Sequence, residues 1–165
     1  MVIIEKQEKY PAYMFPTNDF MFKKIFGTEG KEDITKDLVS SIIGRKIKEL
    51  ELKNLDLSRD DYEDKNEVLD IKAVLDNDIL CDIEVQIASY HDIDKRILDY
   101  WAKMYRTSIQ KEDDSYINMK KTIIILIADF NLDKLKEIEE YKTEYEIMEK
   151  NHKIRLSDVF RVVII

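Results

Sequence analysis

Two short segments near the middle of the chain carry acids in a pattern that asks for a cation. Residues 67–75 and 79–87 read as strands around the turn Asp76-Asn77-Asp78. Leu69, Ile71, Ala73 and Leu75 are apolar on the first; Ile79, Cys81, Ile83, Val85 and Ile87 are apolar on the second. All are odd-numbered. Residues paired across a hairpin share a face, so both apolar sets reach one core only if odd pairs with odd. That register needs a loop of odd length, and Asp76-Asn77-Asp78 suits a three-residue connection. It sets Ala73 against Cys81 and Ile71 against Ile83. On the other face it sets Val74 against Leu80, Lys72 against Asp82, Asp70 against Glu84 and Val68 against Gln86. Facing carboxylates destabilise a sheet unless something positive lies between them. Asp70 and Glu84 therefore read as ligands of a divalent ion, with Mg²⁺ or Mn²⁺ suited to oxygen donors and the backbone carbonyl near Val85 as a further ligand. The alternative is a solvent-exposed charged face, with Lys72 and Asp82 as a surface pair and Lys72 screening Asp70.

The elements that must position this hairpin follow from cap signals and periodicity. Thr17 and Asn18 can cap a helix over 20–26, with Asp19 in its first turn and Gly27 at its end. A second helix over 32–43 places Ile34, Leu38, Ser41 and Ile42 on one face and stops at Gly44. Residues 46–57 alternate as a strand, and 58–66 read as a polar loop. The longest helix is expected over 90–110, with Ile93, Ile97, Tyr100, Trp101, Met104 and Ser108 near one stripe. Residues 122–130 read as a buried strand, 132–140 as a short helix, 141–147 as an edge strand and 160–165 as a last strand. The order is α-α-β-β-β-α-β-(α)-β-β, an α/β pattern.

The 165 residues suit one domain with a core of its own: 44% are apolar, and only 3 are Gly and 2 are Pro. Residues 1–14 read as an N-terminal extension and 15–165 as the domain. The chain ends on the apolar Val163-Ile164-Ile165 without a closing turn, which reads as truncation at the C-terminus. One cysteine, Cys81, excludes an internal disulfide, and His91 and His152 form no zinc pattern. Nothing resembles a signal peptide or a membrane span, so the expected setting is cytoplasmic. A net charge of −8 argues against tight nonspecific binding to phosphates, although Lys23/Lys24, Arg45/Lys46/Lys48, Lys95/Arg96, Lys103/Arg106 and Lys120/Lys121 form local basic clusters.

Leu69-Asp70-Ile71, a short hairpin, and Ile83-Glu84-Val85-Gln86 together resemble the PD-(D/E)XK nuclease superfamily, and within it the group known as PD-(D/E)XK nuclease family transposases, relatives of recombination-promoting nucleases. Further matching stretches are residues 18–23 with Phe26-Gly27, Arg96 with Tyr100-Trp101, Lys103-Met104-Tyr105, and Asp129-Phe130. The resemblance implies a restriction-endonuclease-like mixed β-sheet flanked by helices, with Asp70 and Glu84 holding the metal. It implies metal-assisted hydrolysis of phosphodiester bonds in DNA, tied to transposition or recombination. Gln86 stands where the wider superfamily signature has lysine, although the resemblance to this group implies that Gln is usual there; a neutral amide orients by hydrogen bonds but supplies no charge. Lys72, on the same face, is the candidate for that missing charge. Asp19 matches an acidic position that many such nucleases carry, and equally a first-turn acid that favours the helix dipole.

Arg96 and Tyr100 lie four apart, and Lys103 follows at seven. Arg96 and Lys103 are candidates for contact with the DNA backbone. Trp101, Met104, Tyr105 and Cys81 read as core, and His91 as a polar residue at a helix start. DNA is the expected partner, no membrane is, and a homodimer is an open expectation. Two other readings stand beside the nuclease: a nuclease-fold module acting in DNA or protein binding without catalysis, which Gln86 and the acidic charge favour, and an unrelated α/β interaction domain.

Overall fold

Helix α1 (Asp19–Phe26) begins where a cap is available: Asn18 sits in extended backbone, and its side-chain oxygen accepts a hydrogen bond from the Met21 N–H at 3.3 Å. Gly27 closes the helix by donating its N–H to the Lys23 carbonyl. Helix α2 (Glu32–Ile43) carries Glu32 and Asp33 in its first turn and ends at Gly44, whose φ of 67° lies in the left-handed region. A Cβ on Gly44 would meet nothing within 4 Å, so the backbone, not crowding, calls for glycine. The computed structural model describes residues 15–53, 71–89, 91–108 and 116–165, the side chain of Asp19 excepted.

Six strands form one mixed sheet in the order β1-β2-β3-β4-β6-β5. They are β1 (Leu50–Leu52), β2 (Ile71–Leu75), β3 (Ile79–Gln86), β4 (Lys121–Ala128), β5 (Thr143–Tyr145) and β6 (Phe160–Ile164). β1, β2 and β3 are antiparallel neighbours; β3, β4 and β6 run parallel; β5 closes the far edge antiparallel to β6. Helix α3 (Ile93–Thr107) makes the crossover from β3 to its parallel neighbour β4, as parallel pairing requires. The β2–β3 hairpin has the register that its odd-numbered apolar residues dictate: Ile71 faces Ile83, Lys72 Asp82, Ala73 Cys81, Val74 Leu80 and Leu75 Ile79. Asp76 and Asn77 in the three-residue turn adopt φ of 49° and 61°, which these short polar residues tolerate.

Each face of the sheet has its own core. Ile71, Ala73, Leu75, Cys81, Ile83, Ile123, Ile125 and Val163 pack with Phe22 of α1 and Val39, Ile42 and Ile43 of α2. Leu80, Ile124, Leu126, Phe160, Val162 and Ile164 pack with Ile93, Ile97 and Met104 of α3. β4 is buried on both faces, consistent with its continuous apolar run. The flanking helices make this an α/β fold: a mixed six-stranded sheet with three helices.

Three expectations shift. The buried face of α2 is Thr35, Val39, Ile42 and Ile43, while Ile34 is 45% exposed. Thr35 donates its hydroxyl to the Phe26 carbonyl at the end of α1, a polar tie that turns the helix one position away from the apolar stripe. The expected helix over 132–140 is a single 3-10 turn, Asp133–Leu135. Leu132 and Leu135 reach the second core, and the residues after them are exposed and mostly charged, so nothing sustains a helical face. β1 is only Leu50–Leu52, because the Asp76 carboxylate takes the N–H groups of Lys48 and Glu49 at 2.8 and 3.1 Å, away from the ladder. The remainder of that expected strand, residues 54–57, the loop over 58–66 and the first part of the next strand lie outside the described residues.

Candidate functional site

Even-numbered residues of β3 point to the α3 side of the sheet. Leu80 opens this row and packs in the second core; Asp82, Glu84 and Gln86 follow it. Their neighbours across the parallel ladder are Ile124 for Asp82, Leu126 for Glu84 and Ala128 for Gln86. Asp82 is 2% exposed and Glu84 4%. Charged side chains are almost never buried this deeply without compensation, because leaving water costs several kcal/mol per ion. The solvent-exposed alternative is therefore corrected. The face is covered by α3, whose amphipathic stripe is long enough to hide even the polar end of β3.

For Glu84 the compensation comes from α3. Arg96 Nη2 lies 3.5 Å from Glu84 Oε1. The same guanidinium donates to the Tyr100 hydroxyl from Nη2 at 2.7 Å and from Nε at 3.3 Å. Residues four apart on a helix are neighbours, so Tyr100 is placed by the helix itself to brace Arg96. Burial alone would disfavour the Arg96 charge, but Tyr100, Glu84 and Asp92 hold it above the ordinary arginine range. Gln86 shares this face; its side-chain Oε1 is buried and has no hydrogen-bond donor among the described residues.

The other expected site residues fall as follows. Lys72 faces Asp82 across the hairpin and is half-buried. The side chain of Val85 packs against the opposite core, so only its backbone is available to the site. Lys103 lies one turn beyond Tyr100 and two beyond Arg96 on α3 and pairs with Asp99 at 3.1 Å. Asp70 lies outside the described residues, as does the side chain of Asp19. Among the described residues no three His, Cys, Asp or Glu side chains gather as a metal cluster, and no helix is long and apolar enough to cross a membrane. Met104 is buried, Trp101 packs edge-on to Phe160 and stacks on Tyr105, and Cys81 is fully buried, where burial pushes its thiol far up and leaves it inert.

Asp82 and the bracing role of Tyr100 were not legible as site features. The signal for Asp82 was available in principle: it sits between Leu80 and the strand's polar end, on a face that a long amphipathic helix must cover.

No curated protein and no solved structure matches the chain. The sequence profile of one family does, across residues 16–165. That span includes both the buried acidic strand and the helix that neutralises it. The chain thus belongs to the PD-(D/E)XK nuclease family transposases.

Proposed function

We propose that this domain hydrolyses phosphodiester bonds in DNA with the aid of Mg²⁺ or Mn²⁺, in the service of transposition or recombination, and that β3 carries its active site. The observation that supports this most is Glu84: an acid at 4% exposure on a central strand, held against a cation from the next helix. Structural economy would put an apolar residue there. The donor set fits a hard divalent ion. Glu84 offers a carboxylate, and Gln86 brings to the same face a buried oxygen that has no donor among the described residues. Asp70, opposite Glu84 in the register derived from the sequence, and the backbone carbonyl of Val85 would complete the set.

When bound, such an ion lowers the pKa of its water and offsets charge on the scissile phosphate. The chain's own residues supply the rest. Glu84 and Asp70 would fix the ion's position. Gln86 would orient the attacking water through its amide, without adding charge. Lys103 would meet the DNA backbone from α3, and Lys72 would lend charge from β2. Gln86 in the lysine position also supports a second reading, a nuclease fold used for binding alone.

Supercoiled plasmid with Mg²⁺ or Mn²⁺ separates the two. The wild-type protein should nick it, and Glu84→Gln and Asp70→Ala should each slow nicking by more than about 100-fold while melting cooperatively. Nicking that survives either change, or its absence in the wild type, would overturn the catalytic reading.

A further inference from the structure

Gln86 leaves the proposed site short of a positive charge, and the chain brings one from the helix beside it. The Arg96 guanidinium stands 3.5 Å from Glu84 Oε1 and is braced by the Tyr100 hydroxyl at 2.7 Å. At 3.5 Å the contact with Glu84 is one of charge, whereas the bond to Tyr100 is short and directional. One carboxylate cannot serve two cations at close range without their repelling each other. Arg96 is also well suited to another anion, since the guanidinium fork matches the oxygens of a phosphate.

We infer that Arg96, the cation held against Glu84, competes with a divalent cation for that carboxylate and turns its own charge to the scissile phosphate. The inference rests on the metal-dependent reading above. Competition of this kind is reciprocal: the factor by which the Arg96–Glu84 pair weakens cation binding is the factor by which the cation weakens that pair, so loosening Arg96 strengthens the hold of the cation. Tyr100 sets that balance by keeping the guanidinium in place.

The test is Mn²⁺ binding to the DNA-free full-length chain by calorimetry, with plasmid nicking alongside. Arg96→Gln should bind Mn²⁺ roughly three- to tenfold more tightly than the wild type and nick at least about tenfold more slowly. Arg96→Lys keeps the charge, so its Mn²⁺ affinity should stay near that of the wild type, with part of the nicking restored. Tyr100→Phe loosens the brace and should tighten Mn²⁺ binding by about two- to threefold. A merely structural Arg96 would give weaker binding when removed, and unchanged or weaker Mn²⁺ binding by Arg96→Gln overturns the inference. Should that variant fail to melt cooperatively, Tyr100→Phe decides: tighter binding supports the inference and unchanged binding overturns it. Glu84→Gln keeps the underlying reading separate. If it abolishes Mn²⁺ binding while Arg96→Gln leaves the affinity unchanged, only the role of Arg96 falls. If the wild type shows no Glu84-dependent binding, both fall.

Discussion

Two carboxylates on the middle rungs of β3 set the energetic problem that the rest of this face answers. Asp82 and Glu84 lie beside Ile124 and Leu126, both fully buried, where an uncompensated charge would be costly. The contrast is Asp76, an acid whose role is purely architectural. Its carboxylate accepts from the N–H groups of Lys48 and Glu49 and pairs with Arg45 at 3.1 Å, and these partners hold its pKa below the usual 3.8. A lowered folded-state pKa contributes stability that is present above the unfolded value and lost as pH falls through the folded one. Asp76→Ala should therefore cost on the order of 1–3 kcal/mol at neutral pH in urea unfolding, and the difference from wild type should shrink below about pH 4. At this scale the sequence was informative wherever period two governs. The pairing of Lys72 with Asp82 followed from the odd-numbered apolar stripe alone. The burial of Asp82 did not, because it depends on α3 and β4, elements distant in sequence, and polar residues at 82, 84 and 86 hid the second apolar face.

Elements are held to one another by a few polar ties at their ends. Arg161 of β6 donates to the Ile43 carbonyl at 3.0 Å and to Glu144 of β5 at 2.7 Å; Lys142 reaches the Ile42 carbonyl at 3.2 Å and Glu144 at 3.0 Å. Partial burial pushes the Glu144 carboxyl up, but Lys142 and Arg161 outweigh it and hold the group below its ordinary range. The last carbonyls of α2 are thus satisfied by cations from the far edge of the sheet, where the helix dipole favours them. Arg161→Ala should lower stability by about 1–3 kcal/mol in urea unfolding without moving the β2–β3 register, since it frees a helix end and an edge strand together. Most elements were readable because α1 and α2 join helical periodicity to a closing Gly27 and Gly44, α3 carries a long apolar stripe, and β4 is a continuous apolar run. The failures were places where tertiary ties replaced periodicity: Thr35 on α2, the Asp76 carboxylate at the start of β1, and Leu132 and Leu135, which need only one turn to reach the core.

Across the whole molecule, the sheet separates two chemistries. The α1–α2 side is an apolar core with Thr35 as its fully buried polar residue among those described. The α3 side mixes an apolar core with the acidic row of β3 and the Arg96–Tyr100 pair. The basic residues lie in separate places: Lys23 and Lys24 on α1, Arg45 and Lys120 at the β2–β3 turn, where they reach Asp76 and the Asn77 carbonyl, and Arg96 and Lys103 on α3. A net charge of −8 leaves the chain as a whole without an excess of positive charge to hold DNA. On the proposed reading, a phosphate is met at the α3 face, where a cation would sit between Glu84 and the DNA backbone. The most direct measurement of that claim is a crystal of the protein soaked in Mn²⁺ and recorded at the manganese absorption edge. The account predicts an anomalous peak at a Glu84 carboxylate oxygen, with Arg96 moved away from that oxygen. A peak elsewhere, or none, with Arg96 still against Glu84, would contradict it.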